Sequence, residues 1–439
     1  MNVDNRSINC SNSPDNVSER VEFTSEMKKT HKILYPNMCV IHFSILGEVF
    51  RLNGYDMEML SDTDSSVINE GLKYVHNDTC YPALITIGQF ISALKSGNYD
   101  VSHTALMMTQ TGGGCRASNY IHLLRKALKN AGMTQVPVIS LNIARMEKNG
   151  GFKLTLPLLR AALAAITYGD MLMMLSNRTR PYEIKKGTSD ALVSKWVEEI
   201  VMLFEKKKAT GTKEMRSVLK KMVDDFERIE LDGKERVKVG IVGEIFVKYS
   251  PLANNGLEKF LQSQDCEVNV PGLMGFLLYT VDVRINHYKL YGGSAFMKKM
   301  WEAVLKYLLK YENMIIDAVG DSKRFIKPAG FDELKKSIDG VIGIGCEMGE
   351  GWLLSAEMTE LIKSGYNNVI CAQPFGCLPN HIAGKGVIRK LRTLYPQSNI
   401  VPIDYDPGAT KVNQENRIKL MLAVAKENLE NKNGQTNKS

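Results

Sequence analysis

Hydrophobic positions along the chain follow two patterns, short apolar runs and longer segments with helical spacing. Runs such as TALMMTQ, ERVKVGIVGEI and NNVICAQ predict buried strands. The longer segments between them, for example PALITIGQFISALKSG, have the apolar periodicity of helices that pack on a core. Because strands and helices alternate, the pattern predicts parallel sheets that are covered by helices on both faces.

The alternation is interrupted in the middle of the chain, where residues 153 to 230 have helical spacing throughout. We therefore predict an α/β protein with two Rossmann-like parallel-sheet domains and a helical subdomain between them. The glycine-rich run DGVIGIG is interpreted as a strand or the approach to one. The predicted segments are a flexible leader (1–31), a first α/β domain (32–150), the helical subdomain (151–234), a second α/β domain with a helical insertion (235–430) and a frayed tail (431–439).

The composition is that of an ordinary globular protein. The 439 residues are 44% hydrophobic and 24% charged, which excludes collagen-like, fully disordered and disulfide-scaffold proteins. A net charge of +8 is mild for this length and does not indicate nucleic-acid binding. The polar start lacks an apolar signal core, and no apolar run approaches the ~18 residues of a membrane span. We expect a cytoplasmic protein without a membrane association, whose eight cysteines are reduced.

Three cysteines lie where a predicted helix begins, in the loops NDTCYP, TGGGCR and QPFGCLPN. They are Cys80, Cys115 and Cys377. A thiolate at a helix N-terminus is stabilised by the helix dipole and by free backbone N–H groups. The same N–H groups can donate to the sulfides of an iron–sulfur cluster. Gly113 and Gly114 have no Cβ and allow the backbone to approach a bulky inorganic core.

The cysteine spacing narrows the kinds of metal site. It fits neither a zinc ribbon, which needs close CxxC pairs, nor a ferredoxin, which has its ligands in short runs. Widely separated thiols instead imply a site assembled at the interface of the two α/β halves. Buried inert thiols in a plain binding protein, or a zinc site, remain the alternative. Cys346, Cys39 and Cys371 are secondary candidate ligands, whereas Cys10 and Cys266 lack a supporting loop.

A few polar residues beside these loops are further candidates. His381, just after Cys377, is a candidate proton donor, or a helix-start histidine that bonds locally. Glu350 is a candidate acid–base group, although acids are common at helix starts because of the dipole. Arg116 is suited to bind an anionic group or to offset the charge of a cluster. The candidate cofactor-binding residues are thus Gly113, Gly114, Arg116 and Gly376.

Several longer runs resemble the 2-hydroxyacyl-CoA dehydratase superfamily, and most closely its activase-associated branch. They include MTQTGGGCRASNYIHLLRKAL, QPFGCLPNHIAGKG and NIVPIDYDPGATKVNQENRIKLML, within a similarity that covers roughly residues 32 to 425. The resemblance implies tandem α/β domains that hold a [4Fe–4S] cluster through three cysteines. Transferred to this chain, the ligands are Cys80, Cys115 and Cys377.

The resemblance also implies a chemistry and a partner. Three ligands leave one iron open to polarise a substrate oxygen and to pass an electron. The expected function is reductive or radical chemistry on an acyl-CoA or small substrate, as a lyase or an oxidoreductase of anaerobic metabolism. A separate ATP-dependent activase would supply the electrons, because this chain has no GxxxxGK[ST] loop and no activator module.

Two other interpretations stay open at this point, and an oligomer is possible under each of them. One is a non-catalytic iron–sulfur partner that transfers electrons or supports assembly. The other is a reductase with a double-cubane [8Fe–9S] cluster, which some superfamily relatives hold through six cysteines. Six interior cysteines permit that count here: Cys39, Cys80, Cys115, Cys346, Cys371 and Cys377.

Overall fold

The first part of the chain forms a four-stranded parallel sheet in the order β2-β1-β3-β4. The computed structural model describes residues 20–436, except 62, 63, 65, 143–146 and 148. Because all strands are parallel, their carboxyl ends share one edge of the sheet. The elements are α1 (Met27–Thr30), β1 (Lys32–Pro36), α2 (Val40–Leu52), β2 (Asp56–Leu60), α3 (Ser66–Tyr74), α4 (Tyr81–Lys95), β3 (Thr104–Thr109), α5 (Tyr120–Asn130) and β4 (Val138–Leu141).

The second sheet repeats this topology, with the parallel order β6-β5-β7-β8. The prediction of two parallel-sheet α/β domains is therefore confirmed. A π-helical turn (Asn380–Gly384) and a 3-10 turn (Lys385–Val387) precede α15. After the helices α6 (Leu156–Thr179), α7 (Thr188–Glu205) and α8 (Thr212–Glu227), the elements are β5 (Lys238–Gly243), α9 (Ile245–Tyr249), α10 (Leu257–Ser263), β6 (Glu267–Asn269), α11 (Leu273–Tyr291), α12 (Ala295–Gly320), α13 (Phe331–Lys336), α14 (Trp352–Lys363), β7 (Asn368–Pro374), α15 (Ile388–Leu394), β8 (Asn399–Tyr405) and α16 (Lys411–Thr436).

The helices between and within the two halves pack on one another. Helix α12, from the insertion in the second half, contacts α8 and α6, and α11 contacts α6 as well. Helix α6 also packs against α2 of the first half and against β6 of the second. The helical segments therefore connect the two sheets in space as well as in sequence.

Strands of both sheets contribute alternate residues to two different apolar clusters. In β1, Ile33 and Tyr35 face the large central core, whereas Leu34 faces a cluster under α4 and α5. In β7, Ile370 faces the same central core, and Val369 faces a separate cluster on the other side of its sheet. Because side chains alternate across a strand, both sheets present one face to a single shared core.

Parts of the sequence interpretation differ from the structure. Within the predicted leader, Phe23 is fully buried and its carbonyl accepts a hydrogen bond from Gly151 N–H at 2.7 Å, so residues 20–31 pack on the fold. The prediction for residues 1–19, which include Cys10, lies outside the described residues. The DGVIGIG run forms turns and no strand, with Gly340 at φ 73° and a turn hydrogen bond from Cys346 N–H to Gly343. Helix α16 continues to Thr436, into the predicted frayed tail.

One described helix, α6, is long and apolar enough to span a membrane by length and composition alone. The sequence analysis had expected no such segment. Two thirds of its apolar window is buried within the protein, where Tyr168, Met171 and Leu172 belong to the central core. The apolar character of this helix is therefore accounted for by its central position between the two sheets.

The close packing of α3 on α4 generates a stability prediction. A methyl group on Gly88 of α4 would overlap the carbonyl oxygen of Val67 on α3, and Gly71 lies opposite. Since backbone atoms cannot move aside without disturbing both helices, we expect G88A to destabilise the protein by about 2–3 kcal/mol. Chemical unfolding followed by far-UV circular dichroism measures the change.

Gly275 in the first turn of α11 provides the matched control. No atom lies within 4 Å of the position that a Cβ would occupy there. Because alanine restricts the unfolded chain more than glycine does, G275A should be neutral or should stabilise by about 0.5–1 kcal/mol. Equal stability of the two variants would contradict the packing argument.

Candidate functional site

The three predicted cysteine loops converge at the carboxyl edges of the two sheets. Cys80 is the N-cap residue of α4, and Cys115 precedes a 3-10 turn at the start of α5. Cys377 follows β7 and precedes the π-helical turn. The N–H of Tyr81 donates a hydrogen bond of 3.0 Å to the carbonyl of Phe375, which joins the first half to the second. The structure therefore brings together thiols that lie almost 300 residues apart in the chain.

Gly376 allows this close approach. Its φ is 73°, in the left-handed region that favours glycine, and a Cβ there would lie 3.1 Å from the Cα of Cys80. Gly114 is also crowded, because a Cβ would overlap the sulfur of Met348. Gly113, in contrast, has open space around its Cβ position. Of the predicted cofactor-binding glycines, Gly376 and Gly114 thus allow close contacts within the protein, and Gly113 leaves room beside Cys115.

The thiols influence one another electrostatically. Burial raises the pKa of Cys115 to about 11, with smaller upward contributions from Glu350, Glu244 and Cys80. Burial also raises the pKa of Cys377, with further contributions from the two carboxyl groups and Cys115. These mutual effects place the three thiols and two carboxyl groups in one neighbourhood.

Tyr120 is a neighbour that the sequence analysis missed. Its hydroxyl lies 2.8 Å from the sulfur of Cys80, and burial raises its own pKa. Burial raises the pKa of Cys80, and the hydrogen bond with Tyr120 lowers it by a smaller amount. Because Tyr120 begins α5, the helix start that follows Cys115 also supplies a hydrogen-bonding group to Cys80.

Arg116 and His381 contact backbone rather than each other. The guanidinium of Arg116 donates to the Asp78 carbonyl at 2.8 Å, which connects the loop of Cys115 with the loop of Cys80. The Nδ1 of His381 lies 2.8 Å from the Cys377 carbonyl, and its side chain is exposed. This is the local bonding that the sequence analysis gave as the alternative for His381. Arg116 provides a positive charge beside the thiols.

Two carboxyl groups line the site, and only one of them was predicted. Glu350 is buried and accepts a hydrogen bond of 2.9 Å from the N–H of Ile245. Glu244 follows β5 as the N-cap residue of α9 and accepts from the N–H of Val247 at 2.9 Å. Burial and the neighbouring Glu350 raise the pKa of Glu244 to about 8, and burial raises the pKa of Glu350. An acidic residue directly after a buried strand was the available sequence signal for Glu244.

A buried ion pair lies behind these carboxyl groups. The ammonium of Lys248 is 3.0 Å from a carboxylate oxygen of Glu357, and both side chains are buried. The positive charge of Lys248 lowers the pKa of Glu350 against the larger effect of burial. Lys248 is thus a buried cation that acts on both carboxyl groups of the site.

The secondary cysteines have separate surroundings. Cys346 lies in the loop whose Met348 packs over Gly114, and burial raises its pKa. Cys371 is fully buried in the apolar cluster on the outer face of the second sheet, and Asn380 lies 3.5 Å from its sulfur. Cys39 has a histidine partner at 2.8 Å. Cys346 and Cys371 therefore adjoin the converging loops, whereas Cys39 has His42 as its neighbour.

Within the described part of the chain, no three His, Cys, Asp or Glu side chains are grouped tightly enough to hold a single metal ion. No family model matches the chain, and a search of curated proteins returned no match. The site is therefore interpreted from its own residues.

The raised pKa of Glu244 predicts a pH dependence of stability. Its pKa rises from 4.5 to about 8 on folding, so the folded protein binds the extra proton between these values. Stability is then lost as the pH rises from about 5 to 8, by up to about 1.4 kcal/mol per pH unit. We expect E244Q to remove much of this loss, as measured by unfolding midpoints across that range.

Glu205, an exposed acid on α7, provides the control substitution. E205Q should reproduce the wild-type pH dependence, because it leaves the buried pair of Glu244 and Glu350 unchanged. If E244Q and the wild type lose stability in parallel as the pH rises, the buried-acid interpretation is wrong.

Proposed function

We propose that this chain is an iron–sulfur protein of the 2-hydroxyacyl-CoA dehydratase type, in which Cys80, Cys115 and Cys377 hold a [4Fe–4S] cluster. The observation that carries the proposal is the convergence of these three loops at the junction of the two halves. Two of the thiols come from the first half and one comes from the second. Such a cluster would join the halves covalently through iron–sulfur bonds.

The chemistry of the donor set supports a cluster. All three donors are thiols, the soft ligands that iron–sulfur centres prefer, and no histidine is among them. Burial raises the pKa of each thiol, so the thiols need a bound cation to remain deprotonated. The open space at Gly113 provides room beside Cys115.

The protein's own groups have defined parts in this proposal. A cluster with three protein ligands supplies an open iron and an electron when bound. Arg116 offsets the negative charge of the thiolates, and Tyr120 donates to the sulfur of Cys80. Glu244 and Glu350 repel each other's charge, so the pair retains a proton near neutral pH. That proton is available to a leaving hydroxyl group of a 2-hydroxyacyl substrate.

The wider assignment extends the same proposal. Electrons come from an ATP-dependent activase that docks near the loops, the substrate is an acyl-CoA or another small molecule, and the protein acts in the cytoplasm in anaerobic metabolism. The four-iron cluster is favoured over the double cubane, because Cys39 pairs with His42 and Cys371 faces the opposite side of its sheet. The non-catalytic alternative, an electron-transfer or assembly partner, shares the cluster and lacks the substrate chemistry.

Iron content tests the ligand assignment. Protein purified or reconstituted without oxygen should contain about four irons and about four sulfides per chain, with a broad absorption near ~400 nm. C115S should lose most of this iron, because the variant leaves two thiols for the cluster. C266S is the matched control, since Cys266 is a buried thiol beside β6, outside the three loops, and should keep its iron.

Equal iron loss in C115S and C266S would contradict the assigned ligands. Colourless protein without iron after anaerobic reconstitution would favour a binding protein with buried thiols, or a zinc site.

Electron paramagnetic resonance separates the catalytic proposal from the electron-transfer alternative. The reduced protein should show a cluster signal that changes when 2-hydroxyacyl-CoA thioesters are added, because the open iron would meet the substrate oxygen. E350Q should keep the iron and the signal but lower turnover by about 100-fold or more, as expected for loss of a general acid. A cluster signal that no thioester alters would support the non-catalytic alternative.

A further inference from the structure

A second group of reactive side chains lies at the start of α2, and we name Cys39, His42 and Asp170 the Cys39 triad. The sulfur of Cys39 is 2.8 Å from Nδ1 of His42. The other ring nitrogen, Nε2, is 2.7 Å from a carboxylate oxygen of Asp170 on α6. A nucleophile, a base and an orienting carboxylate in hydrogen-bond contact are the arrangement of an activated thiol.

The carboxylate of the triad is held rigidly. Its two oxygens accept hydrogen bonds from the backbone N–H groups of Leu273 at 2.6 Å and Met274 at 2.9 Å. These groups begin α11, where the helix dipole favours a negative charge. Asp170 is therefore fixed as an acceptor for the His42 ring, and the ring is fixed in turn toward Cys39.

The imidazole of the triad is stable in its charged form. Burial alone would lower the pKa of His42, but the charges of Cys39 and Asp170 outweigh it and raise the pKa to about 10. Cys39 is also the N-cap residue of α2, a helix of thirteen residues whose first N–H groups have no partner within the helix. Both features place positive potential beside the sulfur of Cys39.

Two other titratable groups lie near the triad. Tyr249 of α9 lies close enough to Cys39 and Asp170 for their charges to raise its pKa, after the larger effect of burial. Glu312 of α12 is similarly affected by Asp170, again after burial. His42 is the cation in hydrogen-bond contact with the sulfur of Cys39.

Access to the thiol is narrow, and this determines which reagent it can meet. Cys39 is 5% exposed, Asp170 is 5% exposed and His42 is completely buried. The ring of His42 packs against Gly169, where any Cβ would overlap it. A bulky thioester cannot reach such a sulfur, whereas an uncharged molecule of nearly the size of water can.

We propose that Cys39 is an oxidation site that reacts with hydrogen peroxide. The thiolate attacks one peroxide oxygen, an S–O bond forms and the O–O bond breaks. Sulfur is oxidised by two electrons to a sulfenic acid, and the peroxide is reduced. The leaving hydroxide takes the proton of the His42 imidazolium and departs as water.

The position of the triad gives this oxidation a structural consequence. Its groups come from α2 of the first half, α6 of the helical segment and the start of α11 in the second half. The reaction replaces a thiolate–imidazolium ion pair with two neutral groups, so it weakens a contact that joins all three. The site is independent of the proposed cluster, and its test does not depend on iron.

Trapping of the sulfenic acid with dimedone, followed by peptide mass spectrometry, measures the reaction. The whole chain is treated with hydrogen peroxide under a metal chelator at about pH 6. Cys39, which is 5% exposed, should be labelled at least about tenfold faster than the fully buried Cys266, whose sulfur lies 3.7 Å from the Gln264 carbonyl. Burial raises the pKa of that control thiol to about 11.

Two further measurements make the test decisive. H42N keeps a polar group beside the sulfur without its charge, and it should reduce the labelling rate of Cys39 by about tenfold or more. In the same variant, the labelling rate of Cys266 should keep its wild-type value, because the hydrogen bond that the substitution removes is the one to Cys39. Labelling of Cys39 that is no faster than that of Cys266 in the wild type would overturn the proposal even if H42N failed to fold.

Discussion

The shared apolar core is the constraint on which the rest of the structure depends. Both sheets bury one face against it, and α6 packs between them. That packing fixes where the carboxyl edges of the two sheets meet, and it leaves the loops after the strands in contact across the junction. The hydrogen bond from Tyr81 to Phe375 is one visible result, and the approach of Gly376 to Cys80 is another. A site between the halves is therefore a consequence of the core.

The electrostatics of the junction explain why it is suited to a cationic centre. Three thiols and two carboxyl groups are enclosed together, and burial raises the pKa of each of them. Without a bound cation, these groups favour their protonated forms. A metal centre bound through sulfur would reverse that preference for the thiols, while the carboxyl pair would keep its proton. Under the proposed function, the same enclosure would thus hold a metal centre at sulfur and a proton at oxygen.

The Cys39 triad differs from the three cysteine loops in the group that lies beside its buried sulfur. Here a protein cation, the His42 imidazolium, faces the sulfur, and the carboxylate of Asp170 completes the charge balance. The two kinds of cysteine environment therefore differ in the group that compensates the sulfur charge.

Local sequence determined the elements and the positions of the cysteines within them. Apolar periodicity predicted the strands and the long helices, and turn residues placed Cys80 and Cys115 at helix starts. Apolar periodicity wrongly predicted a strand at DGVIGIG, because an apolar glycine-rich run satisfies strand spacing and turn geometry equally. Periodicity along the chain carries this information because it reflects which side of one element is buried.

Only the tertiary structure decided which groups meet. Packing places Glu244 and Tyr120 beside the cysteine loops. It also brings His42 into hydrogen-bond contact with Asp170, which is 128 residues away in the chain. Residues 20–31 also pack on the fold, because the side chain of Phe23 is buried. Such contacts depend on how whole elements pack around the common core, and no local spacing in the chain records that arrangement.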